Sequence, residues 1–257
     1  MTRIALISDI HANLPALEAV LADARSHEVE AIWNAGDSVG YGPHPAEVLA
    51  RIQQENIISI RGNYDTRVLT IRQEKEDTRK PRRPEKWLAF NWAYDHLTPE
   101  THRYLKNLPE QRLVMTAGWL ALLVHGTPLS PKEHLRPETP PDHLRRLARQ
   151  TPARIILCGH THLPMVRQSE DTWFINPGSV GRLDDGDARA SYALLDLAPG
   201  QLELKFRRVA YDVPAVAAAL RRENLPEAFV RMFELGRSLE WVIENDREGV
   251  LRTTPSI

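Results

Sequence analysis

Short apolar runs bounded by polar residues recur along the first sixty positions and set the expected architecture. Arg3–Ser8 (RIALIS) has the length and composition of a strand buried on both faces. Leu14, Leu17, Val20 and Leu21 then follow at helical spacing, with Asn13 and Pro15 supplying a helix start. Ala31–Ala35 predicts a second strand, Ala46–Ile52 a second helix and Ile57–Ile60 a third strand. Strand and helix alternating at this interval predict parallel βαβ units.

Between Thr66 and Glu110 the alternation stops. This stretch is charged and helical in pattern, carries Trp87, Phe90, Trp92 and Tyr94, and is interrupted by the run Arg79 to Pro84. It predicts a helical insertion over the core. Strands are expected again at Arg112–Met115, Trp119–Val124 and Arg154–Cys158. Trp173–Ile175, Ser191–Leu197 and Leu202–Val209 then suggest a second sheet richer in antiparallel pairs. Val213–Arg222 and Glu227–Leu235 predict C-terminal helices, and the last twenty or so positions are weakly patterned, as chain ends often are. With no internal repeat, the simplest organisation is one domain, 1–257, with a helical insertion at about 66–110.

Composition narrows the function classes. Apolar residues make up 42% and charged residues 26% of 257, the values of a globular chain with a sizeable core. The formal charge of −1 provides no global basic field for nucleic acid, so any such contact must be local. Cys158 is the only cysteine, which excludes an intramolecular disulfide and a cysteine-based zinc site. No apolar run approaches the ~20 residues of a membrane-spanning helix, and the first one is too short and too soon charged for a secretory signal. The expected location is the cytoplasm, and a homo-oligomer stays open.

The chemistry sits where strands end. Asp9 and His11 follow the first strand, Asp37 the second and Asn63 the third, while His125 and the pair His160/His162 end later ones. In an α/β sheet, ligands gather outside the carboxyl ends of strands. Each motif alone is weak: Asp-x-His is common, and Gly36-Asp37 by itself is a turn signal. Together, five strand-end loops deliver two carboxylates, one carboxamide and four imidazoles to one region. Each i, i+2 pair can aim both side chains inward if the chain there is extended. The other six histidines (His27, His44, His96, His102, His134 and His143) fall on expected helices or loops, where solvation is the default.

A nitrogen and oxygen donor set without thiolate suits divalent Mn, Fe, Co, Ni or Zn, with Mn²⁺ foremost, over a dedicated calcium site. Seven ligands are too many for one such ion. Two ions sharing Asp37 would use all seven, leave positions for water, and polarise a phosphoryl group for in-line attack.

The series Asp9-x-His11, Gly36-Asp37, Gly62-Asn63-x-Asp65, His125 and Gly159-His160-x-His162 resembles the calcineurin-like metallophosphoesterase superfamily. Ser8–Asn13, Val39–Pro43 and Ile175–Gly181 look like its small bacterial and archaeal phosphodiesterase branch, often labelled diadenosine tetraphosphatase-like, and Asp212–Pro226 resembles that branch's C-terminal helix. The resemblance implies an α/β fold, a four-layer α/β/β/α sandwich of two mixed sheets flanked by helices. It implies one metal on Asp9, His11 and His162, a second on Asn63, His125 and His160, Asp37 bridging them, and a metal-bridging hydroxide as nucleophile. The departure is Tyr64, where many members carry a histidine that protonates the leaving group and is oriented by the following Asp, here Asp65.

The expected function is metal-dependent hydrolysis of a phosphate ester, a diester first and a monoester or dinucleoside polyphosphate second, on a small phosphate-ester or nucleotide substrate. A non-catalytic scaffold on the same fold, like the retromer subunit that has lost metal ligands, is disfavoured because all seven positions carry ligating side chains. Tyr64 is balanced between packing and substrate contact. His44, in the loop after Asp37, is a solvated residue or a substitute acid. Arg79–Arg83 is a solvated charged run or an electrostatic lip for phosphate. Trp87, Phe90 and Trp92 read as a packing face, Cys158 as a small buried hydrophobe, and Asp184–Asp187 as an exposed turn.

Overall fold

The computed structural model describes residues 1–73 and 84–247. Ten strands run β1 Thr2–Ile7, β2 Ala31–Asn34, β3 Ile58–Ser59, β4 Gln111–Thr116, β5 Trp119–Val124, β6 Ile155–Leu157, β7 Pro164–Ser169, β8 Thr172–Pro177, β9 Ala190–Ala198 and β10 Gln201–Val209. Among the described residues the helices are α1 Leu14–Ser26, α2 Pro45–Gln54, α3 Asn63–Thr70, α4 Pro84–Asp95, α5 Pro99–Asn107, α6 Pro141–Ala148, α7 Val213–Arg222, α8 Glu227–Leu235 and α9 Leu239–Arg247. None of them is long and apolar enough to cross a membrane.

Two mixed five-stranded sheets form, in the orders β10-β9-β1-β2-β3 and β4-β5-β6-β8-β7. Strand β1 explains the layering. Ile4 and Leu6 point between the sheets, against Leu123, Ile155 and Ile175. Ala5 and Ile7 point outward, against Leu17, Val20 and Leu21 of α1 and Val48 and Ile52 of α2. A strand covered on both faces must be apolar throughout, which is the RIALIS pattern. On the far sheet, Leu122, Val124, Ile156 and Phe174 face Leu144 and Leu147 of α6. The order helix, sheet, sheet, helix is therefore the expected sandwich, and the Trp119 indole donates across it to the Ala198 carbonyl at 2.8 Å.

Several expectations need correction. Strands β9 and β10 return to the first sheet, antiparallel to β1, instead of completing the second. Each sheet then has two parallel and two antiparallel pairings, so the second is no richer in antiparallel pairs. Strand β7 was hidden because it begins with a proline and alternates weakly, which its place at the sheet edge tolerates. Helix α6 carries only Leu144, Leu147 and Ala148 as a buried face, too few for the pattern to announce it. Helix α9 falls in the stretch read as unpatterned, yet buries Leu239 and Val242 against α8. The helical insertion is α3 to α5, beginning at Asn63 itself, and the run Arg79–Arg83 lies outside the described residues.

Asp23 on α1 ties that helix to the sheet edge, accepting from Tyr192 Oη at 2.6 Å and from Arg207 Nε and Nη2 at 3.0 and 2.9 Å. Partial burial works to raise the Asp23 carboxyl, but Arg207 and Tyr192 hold it below the ordinary value of 3.8. A carboxylate depressed on folding adds stability that is complete above its unfolded value and fades as pH falls through its folded one. Asp23→Ala should thus cost about 1–3 kcal/mol at neutral pH, with the gap to wild type closing below pH ~4. Urea unfolding of metal-free protein at several pH values measures it, and a gap constant down to pH 2 would contradict the ion pair's role.

Candidate metal centre

The strand-end loops are laced together by backbone hydrogen bonds that leave little freedom to the side chains they carry. Asp9 N–H donates to Gly36 O at 2.9 Å, His11 N–H to Asp37 O at 3.0 Å, and Gly159 N–H to His125 O at 2.8 Å. The motif Asn176–Gly181 clamps the same loops. Asn176 Nδ2 donates to Gly159 O at 2.7 Å, Ser179 Oγ to Asp9 O at 2.7 Å, and Gly181 N–H to Asp9 O at 3.1 Å. The motif was legible in the sequence; its role as a clamp was not.

The i, i+2 pairs do converge, but by a different backbone from the extended one expected. Asp9, His11, Asp37, His160 and His162 all have positive φ, between 48° and 69°. Left-handed backbone at a non-glycine residue costs on the order of 1–3 kcal/mol and persists where surrounding structure enforces it, which is typical of functional sites. The sharp turns, more than side-chain alternation, aim these groups inward.

Two tight groups of ligand-type atoms result, Asp9 with His11 and His162, and Asp9 with Asp37 and His125, each within 4.8 Å and fully buried. Asp9 Oδ1 lies 3.3 Å from His162 Nε2, 3.8 Å from His11 Nε2 and 4.0 Å from His125 Nε2. Asp37 Oδ2 lies 3.2 Å from His125 Nε2. His160, whose ring centre is 5.2 Å from that of His125, flanks the second group, and Asn63, the first residue of α3, directly precedes Tyr64, whose N–H binds Asp37.

These atoms are poorly satisfied by one another. Asp9 Oδ1, His11 Nδ1, Asn63 Oδ1 and His125 Nε2 are buried with no hydrogen-bond partner. His11 Nε2 and His162 Nε2 face each other at 3.1 Å, where two neutral lone pairs repel unless a proton or a cation lies between them. Uncompensated buried polar atoms cost about 1–3 kcal/mol each. Cations ligated by both nitrogen and oxygen would satisfy Asp9 Oδ1, Asn63 Oδ1, His125 Nε2 and the facing Nε2 atoms of His11 and His162, though not His11 Nδ1, so the donor set fits divalent metal.

Ring orientation fits as well. A metal-binding imidazole usually donates its other N–H to a carbonyl or carboxylate. His125 Nδ1 is 2.8 Å from Ala35 O and His160 Nε2 is 3.2 Å from Lys132 O, leaving His125 Nε2 and His160 Nδ1 as acceptors. His162 Nδ1 lies 3.3 Å from Asp184 Oδ2. Burial works to raise the Asp9 carboxyl, but His162, His125 and His11 together hold it well below the carboxylate range. Burial lowers both His125 and His162, yet Asp37 and Asp9 carry the first, and Asp184 and Asp9 the second, up to about 9. His11 falls to about 3 through burial and the neighbouring His162, and His160 to about 4 through burial and His125.

Of the other expected site residues, Tyr64 lies at the cleft. Its N–H donates to Asp37 Oδ1 at 2.7 Å, its ring meets the edges of His11 and Phe90, and its hydroxyl is 3.3 Å from that of Tyr41. Asp65 turns inward, accepting from Val39 N at 3.0 Å and Gly62 N at 2.9 Å. It braces the Asp37 and Asn63 loops. His44 precedes α2, donates its N–H to Ala12 O at 3.1 Å, keeps its Nδ1 buried without a hydrogen-bond partner, and has Glu47, Arg222 and Glu223 as charged neighbours.

Four residues lie here that the sequence reading passed over. Arg182 is buried beneath the cleft, its guanidinium 4.8 Å over the Tyr41 ring and 3.7 Å from Asp184. Asp184, read as part of an exposed turn, instead faces His162. His134, read as solvated, stacks on His160 with ring centres 4.5 Å apart. Lys86 reaches in from α4. Arg182 and Asp184 come from the loop after β8, His134 from the loop after β5 and Lys86 from α4, so no single spacing pattern joins them.

Comparison with known proteins agrees with this geometry. Residues 2–200 match the calcineurin-like phosphoesterase superfamily domain. An uncharacterized protein of Methanocaldococcus jannaschii is 32% identical over 251 residues, covering 91% of this chain and 98% of the relative. Phosphodiesterase YfcE of Escherichia coli is 28% identical over 206 residues, 76% of this chain and 88% of the relative. The crystal structure of a metallophosphoesterase from Sphaerobacter thermophilus superposes with a TM-score of 0.75 at 32% identity, covering 91% of this chain and 99% of that one. The chain belongs to the calcineurin-like phosphoesterase superfamily and is a metal-dependent phosphoric ester hydrolase.

Proposed function

We propose that this hydrolase is a phosphodiesterase using two divalent cations, one held by Asp9, His11 and His162 and the other by Asn63, His125 and His160, with Asp37 between them. The observation that carries this reading is the set of buried atoms Asp9 Oδ1, Asn63 Oδ1 and His125 Nε2 without partners, with His11 Nε2 and His162 Nε2 facing each other at 3.1 Å. Asp37 suits the bridging position because its charge bears on imidazoles of both halves, His125 and His11. Mn²⁺ is the first candidate, and Fe, Co, Ni and Zn fit the same donors. The diester preference follows the name of the E. coli relative. One core shared by both sheets supports a single domain.

When bound, the cations polarise the phosphoryl group and activate water for in-line attack. The chain's own part is to bind and orient. Arg136 lines the cleft beside Asp37, His160 and His162, with Arg182 and Lys86, which are paired with Asp184 and Glu240, and these cations are suited to orient a phosphate whose charge grows during attack. Asp184 fixes the His162 ring through Nδ1. Removing such an outer-shell carboxylate typically costs 10–100-fold in metal affinity. Asp184→Ala should show a loss of about that size for one of two Mn²⁺ ions on titration of apo-protein; two unchanged sites would exclude the role.

Leaving-group protonation is the weak step. No histidine occupies position 64, and the Tyr64 hydroxyl faces that of Tyr41. Tyrosine is ordinarily a far weaker acid than histidine. Turnover should fall steeply as the leaving group becomes more basic, with activated aryl diesters cleaved well and alkyl esters slowly. Rates across substituted aryl diesters measure this, and a flat plot would mean that another group supplies the proton. Tyr64→His should speed the poorest leaving groups most. The function itself is tested by assaying Mn²⁺-loaded protein on bis(4-nitrophenyl) phosphate. Turnover lost on chelation and restored by Mn²⁺ is the expected result; no turnover with any of the five metals would refute it.

A further inference from the structure

His125 begins the loop that follows β5, and His160, from the loop after β6, lies against the far end of it. The loop is tightly wound. Thr127 N–H donates to Ser130 O at 2.8 Å, and Thr127 Oγ1 accepts from the N–H groups of Leu129 and Ser130 at 3.2 and 3.1 Å. The same hydroxyl donates to Glu133 Oε2 at 2.6 Å. Gly126 permits this winding, since a Cβ there would lie 2.6 Å from Ser130 O and 2.7 Å from Glu133 O. The loop is also fastened from outside. Glu133 Oε1 lies 2.8 Å from His143 Nε2 of α6, and Arg146 of that helix donates to His143 Nδ1 at 2.9 Å. An Nδ1 that accepts from Arg146 leaves the proton on Nε2, so His143 donates to Glu133.

The far end of the loop is what meets His160. The main chain of that residue is pinned separately, at a φ of 69° with its N–H donating to Asp9 Oδ2 at 3.0 Å. Its ring is held by the loop. Lys132 O lies 3.2 Å from His160 Nε2, and the His134 ring stacks on it with centres 4.5 Å apart and planes 28° from parallel. One contact fixes the ring's edge and the other its face, which together set the direction of Nδ1. We infer that His134 and Glu133 are positioning residues for the second cation: His134 aims the His160 ring by stacking, and Glu133, tied to α6, holds the loop that carries both His134 and the Lys132 carbonyl. This rests on the two-cation reading, in which His160 binds one ion. Outer-shell partners of this kind orient a ligand before the ion arrives, so loosening them weakens binding although no ligand is lost. The first cation's histidines, His11 and His162, make no such contact with the loop, so the effect is confined to one site.

Metal-free full-length protein is titrated with Mn²⁺ by calorimetry. Wild type should bind two ions. His134→Ala and, separately, Glu133→Ala should each weaken one of the two by about tenfold or more and leave the other unchanged. His134→Phe, which keeps a flat ring on His160 without its nitrogens, should retain wild-type affinity at both. Imidazole nitrogen NMR of the Zn²⁺-loaded proteins identifies the weakened site: His125 and His160 should lose their metal-shifted signals while His11 and His162 keep theirs. Unchanged titrations in both alanine variants, or losses shared equally by the two sites, would overturn the inference and leave the two-cation centre in place. A His134→Phe variant as weak as His134→Ala would also overturn it, because the ring nitrogens and not the stacking would then matter. A single ion in wild type would overturn the two-cation reading and the inference with it.

Discussion

Asp37→Asn is expected to lose more diesterase turnover than any other single change at the centre, in excess of the ~100-fold that an outer-shell residue typically commands. The substitution is nearly isosteric and keeps an oxygen at Oδ1, so the hydrogen bond from Tyr64 N–H, 2.7 Å in wild type, survives. What disappears is a buried negative charge that bears on both His125 and His11. If Asp37 joins the two cation sites, that one charge stabilises both ions, and its removal weakens both at once. Metal content and kcat at saturating Mn²⁺ should therefore fall together while circular dichroism stays unchanged. Near wild-type turnover with full metal occupancy would show that Asp37 only braces the loop.

Gly62→Ala should be nearly as severe, for a steric reason. A Cβ at this position would sit 2.1 Å from Asp37 Oδ1 and 2.3 Å from Asp37 N, closer than any real contact. The backbone there has φ of −84°, which alanine adopts freely, so the constraint is the close approach and not the conformation. Either the Asp37 loop or the start of α3 must give way. Since α3 begins at Asn63, either movement displaces a ligand of the centre, Asp37 or Asn63. Overpacking of this kind costs about 1–3 kcal/mol, and the loss of Mn²⁺ affinity should exceed what that destabilisation alone explains. Denaturant unfolding and metal titration measured together separate the two. A variant with wild-type stability and two intact sites would contradict the packing described here.

Much of the first sheet and most of the candidate ligands were legible before the structure was known, because buried parallel strands are continuous apolar runs and their polar ends stand out. Arg3–Ser8 leading to Asp9 is the clearest case. The return of β9 and β10 to the first sheet was not legible, since a strand's own pattern does not say which neighbour it joins. Asp184 and Arg182 were missed for a related reason. They approach from a loop whose composition, rich in Asp and Gly, looks like a solvated turn until the fold brings it against His162. His134 was hidden by its loop in the same way. The inward aim of the i, i+2 pairs was expected, but the left-handed turns that produce it leave no trace in residue identity, since none of Asp9, His11, Asp37, His160 or His162 is a glycine.

The central claim is two cations in one buried cluster, and anomalous diffraction from crystals grown with Mn²⁺ tests it most directly. Two peaks are predicted, ~3.5–4 Å apart as in two-metal hydrolases. One should contact Asp9, His11 and His162, the other Asn63, His125 and His160, with Asp37 touching both. A single fully occupied peak, with Asn63, His125 and His160 contacting none, would contradict it.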